Sequence, residues 1–365
     1  MNTIHTHNLK RLPPREIDYI PLIGLIGEAR AILGELKGQL GHVNPGLLAA
    51  PLLTKEANLS SRIEGTQATM EAVFKYAAQE NRPQNNTEEV GYKEILNYKE
   101  AVEMMVKQLK TKQLGENLIK DAHRILMDSV RGASKNPGNF RRTQVAIGSY
   151  GQPLDKATYF PPINTMIPEL MSNWEKYMYE IDERDILVKI GIGHYQFEAI
   201  HPFMDGNGCI GRLLIPLFLY QKGIISYPVI YISEFFEENR HDYYQLLNGV
   251  TQIGDWEAWL KFFLNAIIET SKRTLATINK MDALYEEIKT SLTSVNSIYA
   301  INLLDIIFET PVVTFVTLKD RINAKSPQTI YNLLQKFIEK GILKESEDKL
   351  RGREFTFERL INLLD

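Results

Sequence analysis

The chain of 365 residues carries 42 lysines and arginines against 45 aspartates and glutamates, a net charge of −3, and a single cysteine. Balanced charge gives no reason to expect nonspecific binding to nucleic acid or to an anionic membrane. One cysteine excludes an intrachain disulfide framework and suits a reducing compartment, so a cytoplasmic protein is expected. No apolar run approaches the ~18 residues of a transmembrane helix, and the amino-terminal segment lacks a signal-peptide pattern.

The amino-terminal third is predicted to be helical. Apolar residues recur at helical spacing over residues 22–40, 51–61, 90–110 and 113–130. The second of these stretches leads into Ser60-Ser61-Arg62-Ile63-Glu64-Gly65. By its residues alone, this segment is a helix that ends at a glycine cap.

A β-hairpin is predicted next. Residues 143–148 have the composition of a short strand, residues 149–156 are rich in turn formers, and residues 157–160 return antiparallel before Pro161-Pro162. By its residues alone, this is an ordinary surface hairpin. A further helix is predicted over residues 167–181.

The most informative stretch follows a predicted helix over residues 185–200. It reads His201-Pro202-Phe203-Met204-Asp205-Gly206-Asn207-Gly208-Cys209-Ile210-Gly211-Arg212 and passes into an apolar run predicted to be a buried helix. Proline disfavours helical geometry at the preceding residue, so the histidine is expected where the first helix stops. The glycine loop then meets a helix N-terminus, where orphan N–H groups and the helix dipole accept phosphate.

The polar residues of this stretch each suit one part of phosphate chemistry. His201 titrates near neutral pH and is a candidate general base. Asp205 is a hard oxygen ligand suited to Mg²⁺ that carries a polyphosphate. Asn207 can hydrogen-bond a phosphoryl oxygen, and Arg212 offers a planar fork for phosphate. Taken singly, such residues are more often caps, turns or core groups, so it is their order that is specific.

The carboxyl-terminal part changes character. After helices predicted over residues 240–250 and 255–268, with a helical connector through Tyr285, residues 291–365 contain three short helices and a predicted two-stranded wing over residues 344–357. This pattern resembles a winged helix-turn-helix domain, a class that often binds DNA.

The charge of the predicted winged domain weakens a DNA interpretation. Residues 291–365 carry ten basic and ten acidic residues, although the wing itself holds Lys349, Arg351 and Arg353. DNA binding needs only one basic face. Protein interaction, including support of a homodimer, is therefore favoured, and DNA stays a candidate partner.

The order of residues 201–212 closely resembles the signature of the Fic proteins of the Fido superfamily, His-Pro-Phe-x-Asp/Glu-Gly-Asn-Gly-Arg-x-x-Arg. The resemblance implies a mainly α fold, a Fic-type helical bundle with a β-hairpin flap, and protein adenylyltransferase activity with ATP as substrate and Mg²⁺ as cofactor. It assigns catalysis to His201, the metal to Asp205, and nucleotide binding to Asp205, Gly206, Asn207, Gly208 and Arg212.

One position departs from the family pattern. Cys209, the only cysteine, stands where the family has the first of two arginines that hold the nucleotide phosphates. A thiol is mostly neutral at pH 7 and cannot replace a guanidinium as a phosphate ligand. Reduced activity is therefore expected.

The resemblance also gives meaning to two earlier segments. Ser60, Glu64 and Gly65 match the family's inhibitory motif, Ser/Thr-x-x-x-Glu-Gly/Asn, whose glutamate pairs with the second signature arginine, here Arg212. A carboxylate at that arginine would occupy the cation that grips the γ-phosphate. The predicted hairpin matches the flap that clamps a target by strand addition, with a docking strand made of Gln144, Val145, Ala146 and Ile147.

A tyrosine that stacks on adenine is expected by resemblance at Tyr243 or Tyr244. The whole chain then divides into an amino-terminal helical region with the inhibitory motif (1–105), a Fic catalytic core (106–268), a helical connector (269–290) and a winged-helix domain (291–365).

The expected function is transfer of AMP from ATP to a Ser, Thr or Tyr hydroxyl of an unidentified target protein, with autoinhibition by Glu64. Two alternatives stay open. The same site would also suit removal of AMP from a modified protein or transfer of another phosphate-linked group. Alternatively, Cys209 marks a catalytically weak regulatory or DNA-binding protein. No membrane partner is expected.

Overall fold

The computed structural model describes residues 9–42, 45–79, 86–130, 134–148, 157–295, 297–324, 326–346 and 353–365. The chain is mainly helical, which confirms the predicted fold class. Its α-helices are α1 (Ile23–His42), α2 (Pro45–Ile63), α3 (Met70–Ala77), α4 (Thr87–Gln108), α5 (Glu116–Leu126), α6 (Ile167–Glu180), α7 (Ile186–Ile200), α8 (Asn207–Gln221), α9 (Ile232–Glu238), α10 (Arg240–Ile253), α11 (Trp256–Ser291), α12 (Ala300–Glu309), α13 (Phe315–Arg321), α14 (Pro327–Glu339) and α15 (Glu358–Leu364).

One small antiparallel sheet accompanies the helices. Its strands are β1 (Val312–Thr314), β2 (Lys344–Glu345) and β3 (Glu354–Thr356), in the order β1-β3-β2. Val313 pairs with Phe355, which in turn pairs with Glu345 on the other side. Among the described helices, none combines the length and apolarity needed to cross a bilayer.

Two compact units make up the chain. The first unit is Met1–Glu35 with Asn97–Ser271, and the second unit is Leu36–Leu96 with Lys272–Asp365. Each unit therefore draws on stretches that are far apart in the sequence. The four consecutive segments proposed above stay a prediction.

The first unit is built around α7, which packs against α6 and α8. Asp185 begins α7, because its carboxylate accepts the Leu187 N–H at 2.7 Å as an N-cap. Gly193 lets the neighbouring helix come close, since a Cβ there would lie 2.5 Å from the Met178 sulfur. Two buried tryptophans, on α6 and α11, donate their indole N–H groups to backbone carbonyls of α7. This rigid helix delivers its carboxyl-terminal residue, His201, to the site.

The second unit joins amino-terminal helices to the carboxyl-terminal elements. Within it, α2 packs against α12 and α15, and α3 packs against β1 and α15. From α12 to β3 the order is helix, strand, helix, helix, strand, strand, as expected for a winged helix-turn-helix. That interpretation stays a prediction, because residues 347–352, with Lys349 and Arg351, lie outside the described residues.

The predicted hairpin is less regular than expected. Within the described residues its strands reduce to one antiparallel pairing, between Ile147 and Tyr159. The Gln144 side-chain amide donates to the carbonyls of Val145 and Pro161, so a side chain takes acceptors that a regular ladder would use. The predicted turn, residues 149–156, lies outside the described residues.

Two helix boundaries also differ from the prediction. The helix expected from residue 51 begins at Pro45, a position where proline is tolerated because it lies in the first helical turn. Pro51 lies inside this helix. The predicted closing helix and connector form one continuous helix, α11. The short elements α3, α9, β1 and α15 are too brief for periodicity to reveal.

Candidate functional site

His201 lies directly after α7 with a left-handed backbone, φ 51° and ψ 62°. This conformation is uncommon for a residue other than glycine and persists where its surroundings impose it. The His201 N–H donates to the Phe197 carbonyl at 3.0 Å, which closes the last helical turn. As expected from Pro202, the histidine stands where the helix stops.

The imidazole of His201 is held neutral. Burial lowers the pKa of His201 to about 4, and the Arg141 guanidinium acts in the same direction, whereas Glu198 and Asp205 act against both. At neutral pH the ring therefore carries a nitrogen lone pair able to accept a proton. This is the protonation state that a general base requires.

The loop after His201 depends on a glycine. Gly206 has φ +70°, and a Cβ at this position would lie 2.9 Å from the Met127 sulfur. Its N–H donates at 2.9 Å to the carboxylate of Asp205. The other carboxylate oxygen of Asp205 accepts from Lys135 Nζ at 2.7 Å, and the side chain is 40% exposed. The acidic group is thus accessible and already attracts a cation.

The amino-terminal end of α8 has the properties of an anion site. The first helical bond runs from the Ile210 N–H to the Gly206 carbonyl at 3.1 Å. Helix geometry therefore leaves the N–H groups of Asn207 and Gly208, at the start of α8, without an intrahelical acceptor. The N-cap residue, Gly206, has no side chain with which to cap this end, and the helix dipole adds roughly half a positive charge there.

Asn207 has a structural role that was not predicted. Its side chain is buried, its Oδ1 accepts the Phe203 N–H at 2.8 Å, and its Nδ2 donates to the Phe203 carbonyl at 2.9 Å. Both polar atoms therefore close the signature loop on itself. The Asn207 amide has a second N–H donor beyond these two bonds, so the expected contact with a phosphoryl oxygen stays a prediction.

Arg212 and Cys209 lie one turn apart in α8, and both are buried. Arg212 is 1% exposed, and its Nη2 donates to the Cys209 Sγ at 3.7 Å. The residue that departs from the expected pattern therefore contacts the arginine that remains.

His123 was not predicted, yet it anchors the loop. Its Nδ1 accepts the Gly138 N–H at 2.8 Å, so its Nε2 carries the proton and donates to the Asp205 carbonyl at 3.0 Å. Burial lowers the pKa of His123 to about 4, which preserves this arrangement at neutral pH. The ring also stacks on Phe203, with centroids 3.8 Å apart.

Lys135 and Arg141 were also missed by sequence reasoning. They belong to the irregular segment after α5, which offers no periodicity. The sequence gives no sign that Arg141 is buried while Arg142 beside it is exposed. The Asn136-Pro137-Gly138 turn was the available signal, because it brings this segment back against His123.

The two candidate adenine residues differ in exposure. Tyr243 is 2% exposed, its hydroxyl lies 3.0 Å from His194 Nε2, and its ring stacks on Phe236. Tyr244 is 45% exposed. Of the two, Tyr244 has the surface available for a ligand to stack on.

The predicted inhibitory motif begins within α2 and continues beyond its end, in the second unit. Ser60 is buried and Glu64 is exposed. The N–H of Gly65, whose φ is +95°, donates to the Arg62 carbonyl, and the Thr66 N–H donates to the Ser61 carbonyl. This is the hydrogen-bond pattern of a Schellman cap, for which a glycine is suited. The glycine-cap interpretation thus accounts for Gly65, and leaves the role of Glu64 as a prediction.

Two family models match the chain. Residues 23–107 match the Fic/DOC family N-terminal model, and residues 113–219 match the Fic/DOC family model. The two matches together cover more than half of the 365 residues. The second of them contains the whole stretch from His201 to Arg212.

Curated relatives match over part of their length. The chain is 32% identical over 166 residues to protein adenylyltransferase Fic of Culex quinquefasciatus. This match covers 44% of this chain and 28% of the relative. The chain is 31% identical over 90 residues to a probable protein adenylyltransferase of Aquifex aeolicus, covering 25% of this chain and 26% of the relative. The chain thus matches little more than a quarter of these relatives.

Solved structures share the fold. A Fic family protein from Desulfovibrio desulfuricans G20 superposes with a TM-score of 0.61 at 21% identity, over 94% of this chain and 98% of that one. Fic-1 from C. elegans gives a TM-score of 0.54 at 17% identity, over 72% of this chain and 75% of that one.

Proposed function

Because the chain belongs to the Fic/DOC family, we propose that it transfers AMP from ATP to a hydroxyl group of a target protein. One observation carries the proposal: a histidine held neutral, at the start of a loop that ends at the N-terminus of α8, where the cap residue is a glycine. The first group can take a proton, and the second can hold phosphate.

In the proposed reaction, a Ser, Thr or Tyr hydroxyl of the target attacks the α-phosphorus of ATP. The new bond joins the hydroxyl oxygen to that phosphorus, the bond to the bridging oxygen breaks, and pyrophosphate leaves. His201 accepts the hydroxyl proton as the new bond forms. The backbone N–H groups between Gly206 and Gly208 stabilise phosphate charge. A positioned base such as His201 typically contributes ~10²–10⁴-fold to the rate.

The residues at Asp205 fit a magnesium ion. Mg²⁺ usually takes one or two carboxylates and draws its remaining ligands from phosphates and water. Asp205 supplies one accessible carboxylate that already attracts the Lys135 ammonium. When bound, the ion would neutralise phosphate charge.

Two further contacts complete the proposal. The adenine ring is expected to stack on the exposed Tyr244. The target is expected to pair by strand addition with the segment from Gln144 to Ile147. In this segment Ile147 already pairs with Tyr159. On a strand the backbone groups of successive residues point to alternate sides, so those of Ala146 are expected to face a docked target strand.

Autoinhibition by Glu64 is part of the proposal. A carboxylate is the strongest common partner of a guanidinium. Pairing of Glu64 with Arg212 would keep the γ-phosphate from its site. Binding of ATP in a nonproductive pose would follow.

A second candidate function is that of a regulatory protein with weak or no transferase activity. Cys209 favours it, because the guanidinium that the family uses at this position is replaced by a buried sulfur 3.7 Å from Arg212. In that case the carboxyl-terminal elements of the second unit would carry the function through a protein or DNA partner.

The test is incubation of wild type, Glu64→Gly and Glu64→Gly/His201→Ala with α-labelled ATP and a cell lysate. Label is expected to rise in the first variant and vanish in the second, and Glu71→Gly on α3 is a matched control. Mass analysis of a labelled band identifies the group transferred. No label with Glu64→Gly, together with no heat of ATP binding, would support the regulatory alternative and refute the transferase.

A further inference from the structure

Arg141 is a buried arginine whose described hydrogen bonds all go to backbone carbonyls. The first set lies where α7 ends. The Arg141 Nε donates to the His201 carbonyl at 2.8 Å, and its Nη2 lies 3.4 Å from the Ile200 carbonyl. The backbone N–H of Arg141 donates to the Pro202 carbonyl at 2.8 Å. The last carbonyls of a helix lack intrahelical donors and carry partial negative charge. The Arg141 guanidinium supplies both the hydrogen-bond donors that these carbonyls lack and a compensating positive charge.

The second set of bonds lies on the hairpin. Nη1 of Arg141 donates to the Thr143 carbonyl at 3.2 Å, and Nη2 donates to the Pro162 carbonyl at 2.6 Å. These two carbonyls lie on the incoming and outgoing sides of the predicted flap. One planar group therefore contacts both sides of the hairpin and the residue proposed as the base.

A second contact runs parallel to the first. The Tyr159 hydroxyl donates to the Ala199 carbonyl at 2.8 Å. Tyr159 is the residue that pairs with Ile147 in the hairpin. The hairpin is thus joined to the last turn of α7 at two points.

From these contacts we infer that Arg141, assisted by Tyr159, is a positioning residue that couples the flap to His201. A target docked on the flap would thereby be held in register with the base. The inference rests on the proposed function. It does not assign Arg141 any contact with the nucleotide.

The fork of arginine is essential to this role. Its five N–H donors lie in one plane with fixed directions, whereas lysine is a point charge on a flexible stem. Lysine at position 141 would keep the charge and lose most of the directed bonds. The His201 ring would then shift relative to a hydroxyl docked on the flap. A misplacement of about 1 Å at a reacting group costs on the order of 10²-fold in rate.

The experiment compares Arg141→Lys with the neighbouring control Arg142→Lys, both in the Glu64→Gly background. Arg142 is exposed. For Arg141→Lys we expect a single-turnover rate lower by on the order of 10²-fold, a higher KM for the target, and an ATP Kd within about twofold of the parent by calorimetry. A rate within twofold of the parent, or an ATP Kd that rises in proportion to the rate loss, would overturn the inference.

Two safeguards separate this inference from the proposed function. Tyr159→Phe removes a single hydroxyl, so it provides a milder variant if Arg141→Lys fails to fold; a smaller loss of rate at constant ATP Kd is expected. The ¹³C NMR chemical shift of the His201 ring can be measured whether or not the protein is enzymatically active. It should move in Arg141→Lys and stay in place in Arg142→Lys. If the parent transfers nothing, the proposed function fails, and an unmoved His201 signal refutes the coupling independently.

Discussion

Arg212 donates a hydrogen bond to the sulfur of Cys209 across one turn of α8, and both side chains are buried. Sulfur is a weak acceptor compared with a phosphate oxygen or a carboxylate. The helix therefore presents one guanidinium where the family pattern has two. The effect of the cysteine on the rate of AMP transfer can be measured by substitution at position 209.

Replacing the cysteine with arginine should raise activity. In the Glu64→Gly background, Cys209→Arg is expected to increase the rate of AMP transfer on the order of tenfold, because one charge-assisted hydrogen bond to phosphate contributes ~1.5 kcal/mol. Cys209→Ser adds no charge and should give no gain. The measurement is the initial rate of label incorporation at saturating target. A rate for Cys209→Arg equal to that of Cys209→Ser would show that position 209 does not contact phosphate.

Lys135 should compete with the metal for Asp205. Their ion pair is largely exposed, and such pairs contribute ~0.2–1 kcal/mol. Lys135→Met is therefore expected to lower the Mg²⁺ concentration for half-maximal activity by about two- to fivefold, whereas Asp205→Asn should raise it strongly. Lys107→Met, an exposed lysine on α4, is the control. An unchanged Mg²⁺ dependence in Asp205→Asn would remove this carboxylate from the metal site.

The flap can be tested by removing one backbone donor. Ala146→Pro eliminates the N–H expected to bond a target strand, so labelling of the target should fall at least about tenfold while ATP affinity stays unchanged. Ala146→Val keeps the N–H and should behave like the parent. Target titrations and calorimetry provide the two measurements. Equal target KM values for the two variants would exclude strand addition at Ala146.

His194 should make stability depend on pH. Burial lowers the pKa of His194 from 6.5 to about 3. The stability that this group contributes is fully present above pH 6.5 and is lost as the pH falls from 6.5 towards 3, because the unfolded chain binds a proton that the folded chain excludes. Around pH 5, stability should fall by about 1.4 kcal/mol per pH unit from this group alone.

The matching variant is His194→Gln, with His241→Gln on α10 as the control for loss of an exposed imidazole. Urea unfolding at several pH values between 7 and 5 gives the slope for each protein. His194→Gln should be less stable at pH 7 and less dependent on pH. Parallel slopes for His194→Gln and the wild type would contradict the neutral, buried state of this ring.

Sequence reasoning was most reliable where a local pattern was long. The predicted helix over residues 185–200 and the position of His201 after it agree with α7, because apolar periodicity and the following proline are both local signals. The Gly206 turn and the helix after it followed from the same kind of signal. The predicted hairpin was only partly realised, since strand pairing depends on partners far away in the chain.

The polar network of the site could not be predicted in the same way. Arg141 and His201 are 60 positions apart, and His123 and Asp205 are 82 apart. A buried arginine and an exposed one have the same letter, and burial is decided by tertiary packing. Asn207 shows the converse problem. Its amide was assigned to a ligand from its chemistry, and its two bonds to the backbone of a residue four positions earlier were not foreseen.

The packing of α2 against α12 and α15 has a practical consequence for truncation studies. Cutting the chain after the long helix α11 would remove both partners and expose the buried leucines of α2 to water. The glutamate proposed as inhibitor follows that helix directly. A shortened protein with altered activity would therefore report a loosened α2 as readily as a missing carboxyl-terminal function, whereas point substitutions on the exposed face of α14 would leave this packing intact.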